Sequence, residues 1–272
     1  MRKFVYIFIL GLLFTGCNFP LMQTQVPAAA VATQVAFYLT QTAESIPPSE
    51  TPSLNQFTPS QQPSQTITPT ITPPVDDPAT SLGNPIWTNG LSSGNPFGLT
   101  TPFDDGNTKI YLQNGKMVLI SQQASGYKGW RVSPHQITSY YLEAIFTTQT
   151  CTSLDQYGLV FRAPDYSSGM GYYYSVSCDG RFGLMRWNTD NTQSFILNWV
   201  TDSNINPGSN QTNRLGVYVK ASSIRLYMNG KQIAETTDST YLTATNVGAY
   251  ISTVSTPGFT VEMSQIQLWN VP

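Results

Sequence analysis

The acidic side chains that could take part in hydrolysis are scattered along this chain. Glu143 is the only carboxylate in the alternating stretch SYYLEAIFTT, and most other acids after residue 80 stand beside Gly, Asn, Ser or Pro, where short acids usually stabilise turns. Retaining cleavage of a glycosidic bond needs two carboxyl groups about 5 Å apart. The sequence has no two-carboxylate string of this kind, no GxSxG elbow and no histidine besides His135. It therefore predicts that the chain is not an enzyme.

The chain begins with a basic patch and an apolar run that ends in a cysteine. Arg2 and Lys3 precede Phe4 to Phe14, and Thr15-Gly16-Cys17 follows. An apolar stretch too short to span a bilayer comfortably, followed by small residues, predicts a signal peptide over residues 1–17. A cysteine at the cut resembles the bacterial lipobox, with Phe14 in place of the usual Leu. We expect a lipid on Cys17 and an extracytoplasmic, membrane-anchored chain; an ordinary signal peptide or an anchor helix is the alternative.

The two remaining cysteines, Cys151 and Cys178, would then lie in an oxidising compartment, where two thiols are most simply paired. Such a disulfide would close a loop and stabilise the folded state by on the order of 3 kcal/mol. Two separate buried thiols are the alternative. No cofactor is predicted. Asp104-Asp105-Gly106-Asn107 could hold a structural Ca²⁺ or form a plain turn.

Residues 18–80 have the composition of a linker, because Pro, Thr, Gln and Ser dominate and Lys and Arg are absent. Within it, residues 28–44 lack Pro and Gly and show helical spacing, which favours either a short membrane-proximal helix or a partly helical piece of linker. Residues 45–78 are interrupted by Pro every few positions and predict an extended spacer.

Residues 81–272 predict one all-β domain. About 190 residues suffice for a sizeable core, and the pattern is one of short alternating runs separated by turn signals. The strongest of these signals are Asn114-Gly115, Asp179-Gly180 and Asn229-Gly230. The expected strands are 116–122, 139–148, 157–163, 171–178, 181–187, 195–200, 214–220, 223–228, 231–235, 246–252 and 260–269.

Three strings in this domain resemble a known fold. They are YGLVFRAPD from Tyr157, GYYYSVSCDGRFGLMRW from Gly171, and NQTNRLGVYVK with IRLYMNGKQIAETTD from Asn210. Together they resemble the concanavalin A-like jelly roll of bacterial surface lipoproteins and, more distantly, 3-keto-disaccharide hydrolase and family 16 glycoside hydrolase domains. The resemblance implies a two-sheet antiparallel sandwich in which the two cysteines join the loop before YGLVFR to the end of the next strand. The carboxylate pair of family 16 enzymes is missing.

Strand alternation divides the predicted strands into inward and outward sets. The inward sets comprise Leu142, Ala144 and Phe146; Tyr157, Leu159 and Phe161; Tyr172, Tyr174 and Val176; and Phe182 and Leu184. If these strands are neighbours in one sheet, the outer face is a candidate glycan groove with aromatic and charged side chains, over Gly158 and Gly183. Its candidate ligand-binding residues are Tyr141, Glu143, Arg162, Tyr173, Ser175, Met185 and Trp187.

The same face has a second interpretation, in which Glu143 and Arg162 form a cross-strand ion pair and the aromatics lie under another sheet or a loop. Among the other tryptophans, Trp87 and Trp269 are expected to seal the core. Trp130 and Trp199 could rim a groove or belong to the core.

From Ser81 onward, eleven acidic and eleven basic residues balance. This near-neutral, Tyr-rich surface suits neutral polar ligands such as sugars and argues against nucleic acid. We therefore expect a membrane-tethered, lectin-like module that recognises a cell-wall or environmental polysaccharide. Two alternatives stay open: a glycosidase-like enzyme that pairs Glu143 with a loop Asp, and a structural or protein-binding surface protein. The sequence does not give the oligomeric state.

Overall fold

The computed structural model describes residues 76–272, so the predicted lipidation at Cys17, the signal peptide and most of the linker lie outside the described residues. The described chain opens with one short helix, α1 (Pro78–Ser81), and contains a single 3₁₀ turn at Asn95–Phe97. Asp77 and Pro78, which the sequence analysis assigned to the linker, are buried against the domain.

The strands of the described chain, in chain order, are β1 (Trp87–Asn89), β2 (Phe103–Asp104), β3 (Thr108–Gln113), β4 (Lys116–Ser121), β5 (Lys128–Ser133), β6 (Tyr140–Thr148), β7 (Gln156–Ala163), β8 (Gly171–Ser177), β9 (Arg181–Trp187), β10 (Gln193–Thr201), β11 (Thr212–Lys220), β12 (Ser223–Met228), β13 (Lys231–Thr237), β14 (Asn246–Ser252) and β15 (Phe259–Asn270). The eleven predicted strands are all present, with ends that differ by a few residues. Sequence reasoning missed β1, β2, β3 and β5.

The strands form two antiparallel sheets packed as a sandwich. One sheet has nine strands in the order β13-β12-β11-β6-β15-β4-β3-β2, with β1 also paired to β15. The other has six strands in the order β10-β9-β8-β7-β14-β5. Two edge strands, β2 of the large sheet and β5 of the small one, are important for the site described below. The predicted all-β, two-sheet antiparallel sandwich is confirmed.

The core lies between the sheets and consists of the side chains that alternation pointed inward. Each predicted inward set belongs to one continuous buried cluster. Tyr157 and Tyr174 bring hydroxyl groups into this interior, where the Asn213 side-chain amide donates to Tyr157 at 3.0 Å and Tyr174 donates to the Tyr227 carbonyl at 3.1 Å. The buried polar ends of the core are therefore hydrogen-bonded, as burial requires.

Two hairpins turn on Asn-Gly pairs, as predicted. Asn114 and Gly115 both have positive φ between β3 and β4, and Asn229 and Gly230 do so between β12 and β13. At Gly230 a side chain would also collide with Arg214 and Asp77, so this glycine is required twice. Between β8 and β9 only Gly180 has positive φ, so Asp179-Gly180 is a different turn from the one expected.

A disulfide joins Cys151, in the loop between β6 and β7, to Cys178 at the end of β8. The predicted pairing is confirmed. The loop that contains Cys151 crosses from the large sheet to the small one. The disulfide attaches this loop to the β8–β9 turn.

Candidate functional site

A cavity of about 610 Å³ lies where β2 and β5, edge strands of the two sheets, approach each other. Its volume falls within the range of small-molecule sites. We call it the edge cavity; its lining residues are Pro96, Phe97, Gly98, Phe103, Asp105, Tyr127, Gly129, Trp130, Arg131, Val132, Pro134, Tyr166 and Ser167. The 3₁₀ turn, β2, the start of β5 and the β7–β8 loop supply its walls.

The walls of the edge cavity are rich in aromatic side chains. Phe97 is buried, whereas Tyr127 is 41% and Tyr166 is 78% exposed. Trp130 is partly exposed, and its indole N–H donates to the Tyr166 carbonyl at 3.1 Å. Aromatic faces held open to solvent beside a cavity can stack on the apolar faces of a ligand.

The β7–β8 loop, residues 164–170, carries Tyr166 on a well-braced turn. The Asp165 carboxylate accepts hydrogen bonds from the backbone N–H groups of Ser167 and Ser168, both at 2.7 Å, and from both serine hydroxyls. These bonds lower the pKa of Asp165 although partial burial opposes them. Because these bonds brace the turn, the backbone at Tyr166 loses little conformational freedom on binding.

Gly169 locks the same loop onto the small sheet. It has a φ of +75°, and a side chain there would lie 3.0 Å from the ring of Trp130 and 3.3 Å from that of Trp187. The two indole rings meet edge to face with centroids 5.9 Å apart, and the Tyr173 hydroxyl donates to the Gly169 carbonyl at 2.5 Å. The loop therefore fits between two tryptophans that project from β5 and β9.

Tyr127 is oriented by a hydrogen bond from its hydroxyl to Asp105 Oδ2 at 3.1 Å. The other carboxylate oxygen of Asp105 accepts from the backbone N–H groups of Asn107 at 3.0 Å and Thr108 at 2.7 Å. Burial raises the pKa of Tyr127, and the neighbouring Asp105 charge raises it further, so the phenol is protonated at neutral pH. Asp105 thus positions an aromatic wall of the cavity.

Arg131 is the cation of the edge cavity. Its guanidinium lies over the Phe103 ring, 3.7 Å from the centroid, and Nη1 donates to the Trp130 carbonyl at 2.7 Å. Burial lowers its pKa and the Asp105 charge opposes this shift; the arginine stays charged at neutral pH. The cavity therefore combines aromatic surfaces with one cation whose plane is fixed by stacking.

The sequence-predicted groove is only partly correct, because Tyr141 and Glu143 lie on β6 of the large sheet and not beside β7. There Tyr141 donates to Glu143 at 2.7 Å, and Arg214 donates to Glu143 at 3.0 Å and to Asp77. Burial raises the pKa of Glu143, while Arg214 opposes the rise. Both predicted residues are sealed under the segment that contains α1.

Arg162 was also expected on the outer face, and this placement is wrong. It is fully buried at the end of β7 with a φ of +47°, and Nη2 donates to the carbonyls of Thr138 at 3.2 Å and Ala221 at 2.6 Å. The alternative Glu143–Arg162 ion pair is likewise wrong, because Glu143 pairs with Arg214.

The other four predicted residues, Tyr173, Ser175, Met185 and Trp187, do share the outer face of the small sheet. Tyr173, Ser175 and Met185 are nevertheless buried, and Trp187 is partly exposed. Tyr250, which is paired with Gly158, donates to Ser175, while Trp199 lies over Gly183. The glycines do keep the floor low, but the chain's own aromatics fill the space above them.

Sequence reasoning missed Tyr127 and Tyr166 because both stand outside regular strands, in SGYKGW and PDYSSGM. Trp130, which was left open between groove and core, rims the cavity, whereas Trp199 covers the sheet. A signal for the site did exist, since both loops combine Gly and Ser with a tyrosine and so predict turns that present an aromatic residue.

The Asp104–Asn107 segment forms the plain turn. Asp104 Oδ1 accepts from the Gly106 N–H at 3.1 Å and from the Gln122 side chain at 2.8 Å. The Asp105 carboxylate accepts from Asn107, Thr108 and Tyr127. Over residues 76–272, no group of three or more His, Cys, Asp or Glu side chains is arranged to hold a metal ion. No helix in the same range is long and apolar enough to cross a membrane.

Comparison with known proteins gives no family. No protein-family model matches the chain, and no curated protein matches it. Among solved structures, the chain is similar to the carbohydrate-binding module CBM66 from Bacillus subtilis, with 14% identity, a TM-score of 0.41, and coverage of 62% of this chain and 91% of the module.

Two further solved structures are similar to a comparable extent. The GH43 protein BlXynB from Bacillus licheniformis is 10% identical, with a TM-score of 0.47 and coverage of 68% of this chain and 39% of the enzyme. LamAcat from Zobellia galactanivorans is 7% identical, with a TM-score of 0.45 and coverage of 70% and 99%. The match spans well under half of BlXynB, and 17% of a sialidase to which the chain is also similar.

One sequence-based prediction is corrected by these comparisons. The absence of a carboxylate pair on one strand led us to predict that the chain is not an enzyme, but glycoside hydrolases stand beside a binding module among the similar structures. The prediction that the chain is not an enzyme is therefore wrong.

Proposed function

We propose that this chain recognises carbohydrate through the edge cavity. The observation that carries the proposal is Tyr166: an aromatic side chain that is 78% exposed, on a turn braced by Asp165, beside a cavity with further aromatic walls. A contiguous exposed apolar patch marks a ligand or partner site, and Tyr166 lines one cavity together with Tyr127 and Trp130. Aromatic faces suit the C–H faces of sugar rings, and the polar groups of the cavity suit hydroxyls.

The proposed binding mode is stacking between the sugar ring and Tyr166, Trp130 or Tyr127. Trp130 is held by its bond to the Tyr166 carbonyl, and Tyr127 by its bond to Asp105. These bonds orient the rings of Trp130 and Tyr127, which limits the entropy that these two side chains lose on binding.

A glycan array probed with the whole chain, with Cys151 and Cys178 oxidised, tests this proposal. We expect a reproducible hit that Tyr166→Ala weakens roughly tenfold, the loss expected for one stacked aromatic. Phe195→Ala is the comparison for the outer face of the small sheet, because Phe195 is 53% exposed on β10 and is paired with Met185. Its binding should equal that of the wild type.

Three results would contradict the proposal. A blank array with a folded sample would favour a protein-binding surface. Loss of binding in Phe195→Ala but not in Tyr166→Ala would move the site to the sheet face. Unchanged binding in both variants would exclude both surfaces. Release of new reducing ends from each bound glycan, measured in the same samples, decides whether binding is accompanied by cleavage.

We also propose that the chain is a concanavalin A-like bacterial lipoprotein, anchored to the membrane through a lipid on Cys17 and held at the cell surface by the linker over residues 18–75. The support is the sequence from Arg2 to Cys17. Metabolic labelling with a fatty acid, comparing the wild type with Cys17→Ala, tests it. Equal labelling of the two proteins would contradict it.

A further inference from the structure

The arginines of residues 76–272 fall into two groups. Four of the six make ion pairs with carboxylates: Arg181 with Asp179, Arg186 with Asp238, Arg214 with Asp77 and Glu143, and Arg225 with Glu235. Of the other two, Arg162 is fully buried. Arg131 is therefore the one solvent-accessible arginine of the described chain with no carboxylate within ion-pair distance, and it lines the edge cavity.

The guanidinium of Arg131 is held in place without being neutralised. It stacks on Phe103, and Nη1 donates to the Trp130 carbonyl, while Nε and Nη2 have no hydrogen-bond partner among the described residues. A stacked guanidinium keeps its fork of donors in a fixed plane, which matches the two oxygens of a carboxylate.

Asp105 faces the same cavity, and its charge acts on Arg131, but the two side chains are not within ion-pair distance of each other. The Asp105 oxygens accept hydrogen bonds from Asn107, Thr108 and Tyr127 instead. A second cation, Lys128, lies on the same strand and donates to Gln193 at 3.3 Å, again without a carboxylate partner. Alternation puts Lys128 and Arg131 on opposite faces of β5, and of the two only Arg131 lines the edge cavity.

The large sheet shows how this chain satisfies an arginine beside aromatic rings. Arg214, near Tyr141 and Tyr227, receives the carboxylate of Asp77 from the segment that covers that face. The edge cavity has the same kinds of groups, aromatic rings and an arginine, but its carboxylate, Asp105, is not within ion-pair distance of Arg131.

From this difference we infer that the ligand of the edge cavity is an acidic glycan, whose uronic-acid carboxylate pairs with Arg131 while a sugar ring stacks on Tyr166 or Trp130. The inference rests on the proposed function and specifies its ligand class. Arg131 is then the residue that selects acidic over neutral sugars.

The test compares oligosaccharides of galacturonic, glucuronic and mannuronic acid with their methyl esters, which keep the sugar and remove the charge. Binding to the whole chain is measured by calorimetry. We expect at least one acid to bind roughly tenfold more tightly than its ester, the range for a charge-assisted hydrogen bond. The preference should shrink at high salt.

Variants separate the role of Arg131 from that of the aromatic walls. Arg131→Gln should weaken binding of the acid more than binding of the ester and so remove the preference, and Arg131→Lys should keep part of the preference. Tyr166→Ala should weaken acid and ester alike. Lys231→Gln is the matched control for lost charge, because Lys231 is exposed, makes no ion pair with the described residues, and lies on β13 of the other sheet. It should change neither affinity.

Equal binding of acids and esters by the wild type would overturn the acidic-ligand inference and leave carbohydrate binding intact. An equal loss of both ligands in a folded Arg131→Gln variant, confirmed by an unchanged melting temperature, would also overturn it. Absence of binding to every glycan, neutral or acidic, would instead contradict the proposed function itself.

Discussion

The outer face of the large sheet and the edge cavity carry similar residues but have opposite surroundings. On the large sheet Tyr141, Tyr227 and Trp269 are almost fully buried beneath Ala79 and Leu82. Next to the small sheet, the aromatic walls of the edge cavity are open to solvent. The first face is occupied by the chain itself, and the second is available to another molecule.

The charges follow the same division. Arg214 is neutralised by two buried carboxylates, one of which comes from the covering segment, whereas Arg131 has none in ion-pair contact. The comparison indicates that aromatic residues beside an arginine do not by themselves mark a binding site in this protein. What distinguishes the edge cavity is that its arginine, Arg131, has no carboxylate of the described chain in ion-pair contact.

Alkaline pH should give the largest effect, since both faces contain buried tyrosines. Burial raises the pKa of Tyr157 and of Tyr172 to about 12 and raises that of Tyr141 and Tyr173 as well. Unfolded tyrosine ionises near pH 10, so above this pH the folded state binds more protons than the unfolded state. The free energy of unfolding should therefore fall as pH rises from about 10 through 12.

Tyrosinate absorbance, followed together with circular dichroism, checks this prediction. The buried tyrosines should ionise only as the strand signal is lost. Their complete ionisation in a folded protein would contradict the burial described for them.

Removal of Arg214 should come next, because it breaks the covered face. Arg214→Ala leaves the carboxylates of Asp77 and Glu143 buried without a cation, and their side chains are only 2% and 6% exposed. We expect a loss of about 3 kcal/mol in the free energy of unfolding, measured with urea. Arg131→Ala is the comparison and should lose no more than about 1 kcal/mol. Equal losses would refute the distinction between the two arginines.

A smaller effect is expected from Gly169→Ala, which strains the loop of the open face. A side chain at φ +75° is unfavourable, and it would press on Trp130 and Trp187. We expect a loss of about 1 to 2 kcal/mol in stability and weaker glycan binding, because Tyr166 moves with its loop. Gly208→Ala is the control, with φ +90° and open space around it. Only Gly169→Ala should affect binding.

Tyr127→Phe should have the smallest effect. It keeps the ring and removes the hydroxyl that donates to Asp105. Because the bond is exposed, we expect a two- to threefold loss of glycan affinity and no measurable change in melting temperature. A loss as large as that of Tyr166→Ala would mean that the hydroxyl itself contacts the ligand.

Much of the fold could be predicted from local sequence. Alternation identified the buried side of β6, β7, β8 and β9, and Asn-Gly pairs located two hairpins, because both signals depend on neighbouring residues. The pairing of β6 could not be predicted in this way. It lies between β11 and β15, which are far along the chain, while its sequence neighbour β7 belongs to the other sheet. Because the prediction put β6 beside β7, it assigned Tyr141 and Glu143 to the outer face of the small sheet, whereas they lie on the large sheet.

The site was harder to predict than the fold. β5 has Gly129 and Arg131 among its six residues and no continuous apolar side, so it was not recognised as a strand. The walls of the edge cavity come from four separate segments whose proximity depends on how the two sheet edges meet. Only Trp130 was marked as a groove candidate, since an isolated loop tyrosine such as Tyr166 gives no periodic signal.

The five tryptophans of the chain allow the central claim to be tested in one measurement. Each indole N–H gives its own signal in a ¹⁵N-correlated NMR spectrum, recorded while the whole chain is titrated with a glycan that it binds. Trp130 reports on the edge cavity, Trp199 on the face of the small sheet and Trp269 on the covered face of the large sheet. We predict that the Trp130 signal shifts and that those of Trp199 and Trp269 do not. A shift of Trp199 or Trp269 with Trp130 unmoved would contradict the account.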